Sequence, residues 1–317
     1  MDAMTLIGAH AALMASIKSG LLDILEDEAL SSSQCAQRLG LDQRACDHVL
    51  DVLTALHLLT CDGDAYRLAE RSPAAKASPY SWNRMLLIGQ QFEHTGRMLK
   101  TGEPLAFMDE SAAQREASYH NLVNDMGVAF ADAATRLASQ LTIRPLSIID
   151  VGCGSGVWSL AIAANNPQSQ VTGLDLPKVL NALLTRAKAL GMEARSTLLP
   201  GDMHHVELPQ AHYDLAVIAN VLRLEAPEKA RQLVARVGAT VRPGGSLLIV
   251  DALASGTPEK DLLRAVYALH LALRTGTGRI HSQSEISGWM SEAGFGELTS
   301  IDLGAQLGAV AGLIGRR

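Results

Sequence analysis

Asp150-Val151-Gly152-Cys153-Gly154-Ser155-Gly156 joins an apolar run, Ile148-Ile149, to the helix-like stretch Val157-Trp158-Ser159-Leu160-Ala161. Glycine at every second position lets the backbone turn sharply and approach a ligand with no Cβ in the way. A helix opening directly behind such a loop presents free N–H groups and the positive end of its dipole. A dinucleotide loop reads G-x-G-x-x-G, and a P-loop requires Gly-Lys-Ser/Thr. This run reads D-x-G-x-G-x-G and has no lysine. Asp150 places a carboxylate at the mouth of the loop, which suits a ligand with a cationic amino-acid end. Asp175 follows about twenty residues on, the spacing at which an acidic side chain meets a ribose diol. One carboxylate can accept both hydroxyl hydrogens. The other reading of Asp175 is a cap for a helix starting at Pro177. Gly201-Asp202-Met203 offers a third acidic position, in a turn that favours Asp in any case. His204 and His205 follow it directly, but no partners stand at metal-ligand spacing. They read as surface residues, and no metal site is expected.

The elements that must position these residues follow from periodicity. Strands are predicted near 147–151, 170–174, 195–199, 214–219, 246–250, 297–302 and 308–315, with helices between most of them. That alternation specifies an α/β fold with a doubly wound sheet, whose ligands sit at the carboxyl ends of the strands. Arg242-Pro243-Gly244-Gly245 is a turn into the fifth strand. Residues 81–140 read as linking helices, and 257–275 as a helical insertion. Toward the N-terminus, residues 5–26 read as one helix. Ser31-Ser32-Ser33-Gln34 starts a second that ends near Gly40, and Asp42 caps a third through Leu58. A hairpin turns around Asp62-Gly63. Three helices and a hairpin make a winged helix. The expected division is 1–80, 81–140 and 141–317.

Composition narrows the function classes. The 317 residues carry a formal net charge of −6 and are 48 % apolar. No apolar run is long enough to span a bilayer. Asp2, Lys18 and Asp23 argue against a targeting segment. Cys35, Cys46, Cys61 and Cys153 are scattered with no CxxC pair, as in a reduced cytoplasmic protein. A winged helix raises DNA binding, but residues 1–80 hold six Lys/Arg against eleven Asp/Glu. A phosphate-tracking surface needs the opposite sign. A nucleic-acid partner and a membrane partner are therefore not expected. Aromatic content of 4 % leads us to expect a pocket lined by Met and Leu.

The glycine loop resembles the S-adenosylmethionine (SAM) loop of class I methyltransferases. Nearly the whole chain is similar to the two-domain small-molecule O-methyltransferases of the hydroxyneurosporene, acetylserotonin and caffeate type. Trp82-Asn83-Arg84 with Gly102-Glu103-Pro104 matches that family's "W…G-x-P" segment, and Tyr119 to Met126 its "F-x-x-x-M" helix. Asp175-Leu176-Pro177 matches "D-L-P", Gly201-Asp202-Met203 "G-D-F/M", and Pro243-Gly244-Gly245 "P-G-G". The resemblance implies a Rossmann-like SAM-binding domain behind an N-terminal winged-helix dimerisation domain, working as a homodimer. It implies SAM as cofactor and S-adenosylhomocysteine as product. The cofactor would be held by Asp150, Gly152, Gly154, Gly156, Asp175, Leu176, Asp202, Met203 and Asn220. Tyr119, Met126 and Tyr267 would line the substrate pocket.

One departure bears on mechanism. O-methylating members carry a lysine and then "V-L-H-D-W", with the histidine as general base. This chain reads Ala219-Asn220-Val221-Leu222-Arg223-Leu224-Glu225. Arginine is protonated at any working pH and cannot take the substrate proton. Of the later acidic positions, Asp251 keeps its charge and Ile280 does not. Arg223 then points to an acceptor that is already anionic, which in-line displacement on an activated methyl permits. His270 and His281 are the replacement bases to consider. The implied activity is methyl transfer to a small-molecule O, C or N nucleophile in secondary metabolism. The alternatives are a non-methylating reaction of the same cofactor (ring closure, hydroxylation or decarboxylation) and a winged-helix regulator.

Overall fold

A computed structural model of the chain describes residues 2–69, 82–105, 112–253, 258–303 and 310–317. The expected boundary at residue 80, the first residue of the 257–275 insertion and the first two of the 308–315 strand lie outside these. The chain divides into two compact units, Met1–Glu93 and His94–Arg317.

The first unit is helical with a small sheet. Helices α1 (Ala3–Ser19) and α2 (Leu21–Asp27) are bent by 71° at Gly20. The single helix expected over 5–26 is therefore broken. Gly20 takes φ 77°, a left-handed conformation that caps α1 through its N–H to the Ile17 and Ser16 carbonyls. Strand β1 (Leu30–Ser31) precedes α3 (Ser32–Leu39), whose Ser31–Gln34 capping box forms as the sequence predicts. Asp42 caps α4 (Gln43–Ala55), which stops short of Leu58 because His57 turns to φ 58°. Strands β2 (Leu59–Asp62) and β3 (Ala65–Leu68) form the expected hairpin, and β1 adds to it in the order β1-β3-β2. Helix α5 (Trp82–Glu93) returns Trp82 to a core of Met14, Leu22, Leu50 and Leu53. Fully burying each large apolar side chain contributes about 1.5–3 kcal/mol.

The second unit opens with α6 (Thr95–Thr101), α7 (Ala112–Ala129) and α8 (Ala131–Gln140). There follow β4 (Ser147–Val151), α9 (Val157–Ala164), β5 (Gln170–Asp175), α10 (Leu180–Ala189), β6 (Ser196–Pro200), β7 (Tyr213–Ala219) and α11 (Pro227–Gly238). The chain ends with β8 (Val241–Ala252), α12 (Pro258–Arg274), α13 (Gln283–Glu292), β9 (Gly296–Ile301) and β10 (Val310–Arg316). The seven strands pair in the order β6-β5-β4-β7-β8-β10-β9. The first five are mutually parallel, and β10 runs antiparallel to both its neighbours. Strand residues alternate between two cores. Ile148, Val217 and Leu248 pack under α8, α9 and α10, while Ile149, Ile218 and Ile249 pack under α11 and α13. Strand order reverses at β4, so a crevice opens beyond its carboxyl end.

Candidate active site

The glycine loop occupies that crevice. Gly152, Gly154 and Gly156 take φ of 68°, 53° and 66°, where a side chain is strained. The loop is tied to β5 by its backbone. The Gly152 and Cys153 N–H groups donate to the Leu174 carbonyl at 2.9 and 3.2 Å. Asp175 accepts from the Gly154 N–H and the Leu176 N–H, both at 2.8 Å. Burial raises the Asp175 pKa, and these two N–H groups oppose the rise. Each carboxylate oxygen keeps a second lone pair for a ligand. The helix expected from Pro177 instead starts at Leu180, with Val179 at its cap position and no side-chain cap bond, so Asp175 caps no helix there.

A cavity of about 450 Å³ lies over this loop. Of the residues singled out from the sequence, Tyr119, Met126, Gly152, Gly154, Asp175, Leu176, Asp202, Met203 and Asn220 line it. Along α7, Tyr119, Val123 and Met126 fall at i, i+4 and i+7, one helical face. Gly127 lets α7 approach closely, since a Cβ there would lie 2.4 Å from Ser155 Oγ. The sequence offered no signal for Gly127 or Val179, and Glu225, close to the expected base position in sequence without matching it, lines the cavity as well. The wall is also more aromatic than expected: Phe130 and Trp158, with ring centroids 5.6 Å apart, join Tyr119.

Other expected residues lie off this wall. Asp150 is 1 % exposed and sits beneath the loop rather than at its mouth. It accepts from Ser159 Oγ at 2.5 Å, and its Oδ1 is buried without a partner. Burial pushes its pKa up to about 7; the Ser159 bond opposes this and the Asp175 charge adds to it. Gly156 faces α10, where a Cβ would lie 2.1 Å from Leu183 Cδ1. Its place is to admit helix packing, as the third glycine of a dinucleotide loop does.

The segment after β7 forms a single 3₁₀ turn, Leu222–Leu224. Arg223 is 6 % exposed. Its NH1 donates to Asn220 Oδ1 at 2.7 Å and Asp251 Oδ1 at 3.1 Å, and its backbone N–H reaches Asp251 Oδ2 at 3.3 Å. Its guanidinium lies 5.3 Å from the Tyr267 ring centre. Burial works against its charge, but Tyr267 and Asp251 more than offset this and raise its pKa. His281 is buried, and its Nε2 lies 2.9 Å from the Leu222 carbonyl, to which it donates. Neither Arg223, His281, His270 nor Tyr267 is on the cavity wall. His204, expected at the surface, bonds Glu225 at 2.9 Å beside the cavity; His205 stays exposed. Among the described residues no cluster of three His, Cys, Asp or Glu side chains could hold a metal.

A sheet of this order, with a glycine loop at its switch strand and an acidic residue ending the next, defines a class I methyltransferase. Residues 101–296 match the O-methyltransferase domain family, and residues 1–77 match the O-methyltransferase dimerisation domain. The chain belongs to the O-methyltransferase domain family. It is 25 % identical to the tetracenomycin polyketide synthesis 8-O-methyl transferase TcmO of Streptomyces glaucescens, over 90 % of this chain and 87 % of that protein. It is 27 % identical to an L-tyrosine C(3)-methyltransferase of Streptomyces lavendulae, over 89 % and 82 % respectively. Among solved structures it is similar to the S-adenosylmethionine-dependent methyltransferase SibL, with TM-score 0.72, 25 % identity, and coverage of 99 % of this chain and 98 % of that one. The protein is a SAM-dependent methyltransferase.

Proposed function

We propose that the cavity over the glycine loop takes SAM together with a small secondary metabolite, and that the chain directs methyl transfer to its nucleophile. The observation that carries this reading is the hooking of Gly154 to Asp175. It leaves a bare backbone and a carboxylate with free acceptor capacity side by side on one cavity floor. SAM, when bound, supplies a methyl group on a sulfonium. Asp175 would accept its ribose hydroxyls, Asp202 and Met203 would hold its base, and the loop glycines would pass under it. Asp150 would act from below, through Ser159 on α9. Tyr119, Val123 and Met126 would shape the acceptor space and exclude water from it.

No arginine or histidine on the described wall offers a base. The ionisable residues there are Asp175, Asp202, Glu225, Lys229, Tyr119 and Cys153, whose thiol pKa is pushed up by burial. The acceptor nucleophile would therefore bring its own acidity, as an enol, a carboxylate or a phenol beside a carbonyl does. TcmO, named for an O-methylation in polyketide synthesis, fits that chemistry. The residues before the O-methyltransferase match would pair two copies, since α1 leaves Met4, Leu6 and Ile7 largely exposed. We place the functional boundaries near residues 80 and 140. The four cysteines are free, which suits work in the cytoplasm.

Incubation with methyl-deuterated SAM and a panel of phenols, enols, keto acids and amines tests the reading by mass spectrometry. Label on one acceptor class with matching S-adenosylhomocysteine is the expected result. Conversion of SAM without label transfer to any acceptor would refute it.

A further inference from the structure

The residues standing where a catalytic set is expected have been turned to another use. Arg223 cannot accept a proton, His281 is committed to the Leu222 carbonyl, and Asp251 faces Arg223 rather than the cavity. What they share is the turn between them. His281 holds Leu222, Asp251 holds the Arg223 N–H and guanidinium, and Gly278 packs so close that a Cβ would lie 2.6 Å from the Arg223 carbonyl oxygen. The turn is gripped from β8 and from the loop after α12. Its outgoing contact is Arg223 NH1 to Asn220 Oδ1, and Asn220 does line the cavity.

Asn220 is unusual in itself. It takes φ 61°, while its N–H bonds the Val250 carbonyl at 2.7 Å. Asn is among the few residues that enter this region readily. Its side-chain amide has two chemically distinct ends, ordinarily free to exchange. A guanidinium has donors only. Contact with Arg223 therefore forces Oδ1 toward the arginine and leaves Nδ2, with two hydrogens, as the end that remains.

We infer that Arg223 is a positioning residue, which fixes the Asn220 amide so that its NH₂ donates to the cofactor in the cavity. This rests on the reading of that cavity as the SAM site. A negatively charged oxygen of the cofactor, its carboxylate, is the acceptor such a donor suits. Arg223 is then neither a base nor a binder of the acceptor molecule.

The test is titration calorimetry of the full chain with S-adenosylhomocysteine, alongside thermal melts. Asn220→Asp is the decisive variant. A carboxylate pairs with Arg223 at least as well, so the melting temperature should hold or rise, but it cannot donate. Loss of a hydrogen bond to a charged group should weaken binding roughly tenfold or more. Arg223→Gln should weaken it similarly by freeing the amide, with Arg223→Lys in between, since a lysine keeps the charge without the fork. The double variant Arg223→Gln/Asn220→Ala should bind no worse than Asn220→Ala alone. Binding by Asn220→Asp within twofold of the wild type would overturn the inference, whether or not Arg223→Gln folds. Wild-type chain that fails to bind S-adenosylhomocysteine would overturn the cofactor reading as well.

Discussion

Leu183 of α10, fully buried, lies between two glycines. A Cβ on Gly173 would approach its Cδ2 to 2.4 Å, and a Cβ on Gly156 its Cδ1 to 2.1 Å. The two glycines differ in backbone. Gly156 has φ 66°, whereas Gly173 has an ordinary strand conformation, opposite Asp150 on β4 and between Thr172 and Leu174 on its own strand. Gly173→Ala should therefore destabilise by overpacking alone, about 1–3 kcal/mol. Gly156→Ala adds the left-handed backbone cost of about 1–2 kcal/mol. Leu183→Ala opens a cavity and should cost about 2–5 kcal/mol. In the Leu183→Ala background the new methyl at 173 loses its tighter clash but keeps Cys153 Sγ at 2.9 Å. The double variant should therefore cost less than the sum of the two single changes, by about 1 kcal/mol. Gly156→Ala should keep its backbone cost even there. Urea unfolding of the five variants with free and S-adenosylhomocysteine-loaded protein measures both. At about 2–4 °C per kcal/mol for a unit of this size, melts would resolve the same differences. Additivity of Gly173→Ala and Leu183→Ala within about 0.5 kcal/mol would refute the reasoning.

Three further outcomes are expected. Asp175→Ala should weaken S-adenosylhomocysteine binding by roughly 10- to 150-fold, because it removes charge-assisted acceptors worth about 1.5–3 kcal/mol and frees the Gly154 N–H; calorimetry reads this directly. Asp150 has a folded pKa of about 7, above its unfolded value of 3.8, so the folded state holds the extra proton between these limits. Its contribution to stability is present at low pH and is lost as pH rises through 7. Asp150→Asn should therefore gain stability over the wild type from pH 5.5 to 8.5 in thermal melts, and a constant gap would refute the assignment. Ile7→Glu, on the exposed face of α1, should convert a dimer to a monomer in light scattering while leaving the His94–Arg317 unit folded.

What the sequence disclosed follows the range of the interactions involved. Gly152, Gly154 and Asp175 are legible because local backbone demand and a fixed strand-to-strand spacing dictate them. Capping at Ser31 and Asp42 is legible for the same reason. Gly156 carries the same local pattern, yet its partner Leu183 is supplied by another helix, so its packing purpose is invisible in the loop. The break at Gly20 is hidden because apolar spacing continues on both sides of it. Arg223 is the sharpest case. Its residue type announces the loss of a base, but its occupation depends on Asp251, 28 positions on, which only the assembled strands bring within reach. The His204–Glu225 pair, 21 positions apart, is missed likewise.

The cavity has two kinds of wall, and they are exposed to mutation differently. Its floor is fixed by main-chain N–H groups of Gly152, Cys153 and Gly154, and the left-handed backbone at the two glycines holds those positions to glycine. Part of its facing wall is a stripe of side chains on α7, Tyr119, Val123 and Met126. A lineage can redraw that stripe residue by residue while the floor is inherited intact. New acceptors are then reachable by neutral drift followed by selection, with no interval in which the cofactor is lost. Relatives named for an oxygen target and for a carbon target each stand at about a quarter identity to this chain.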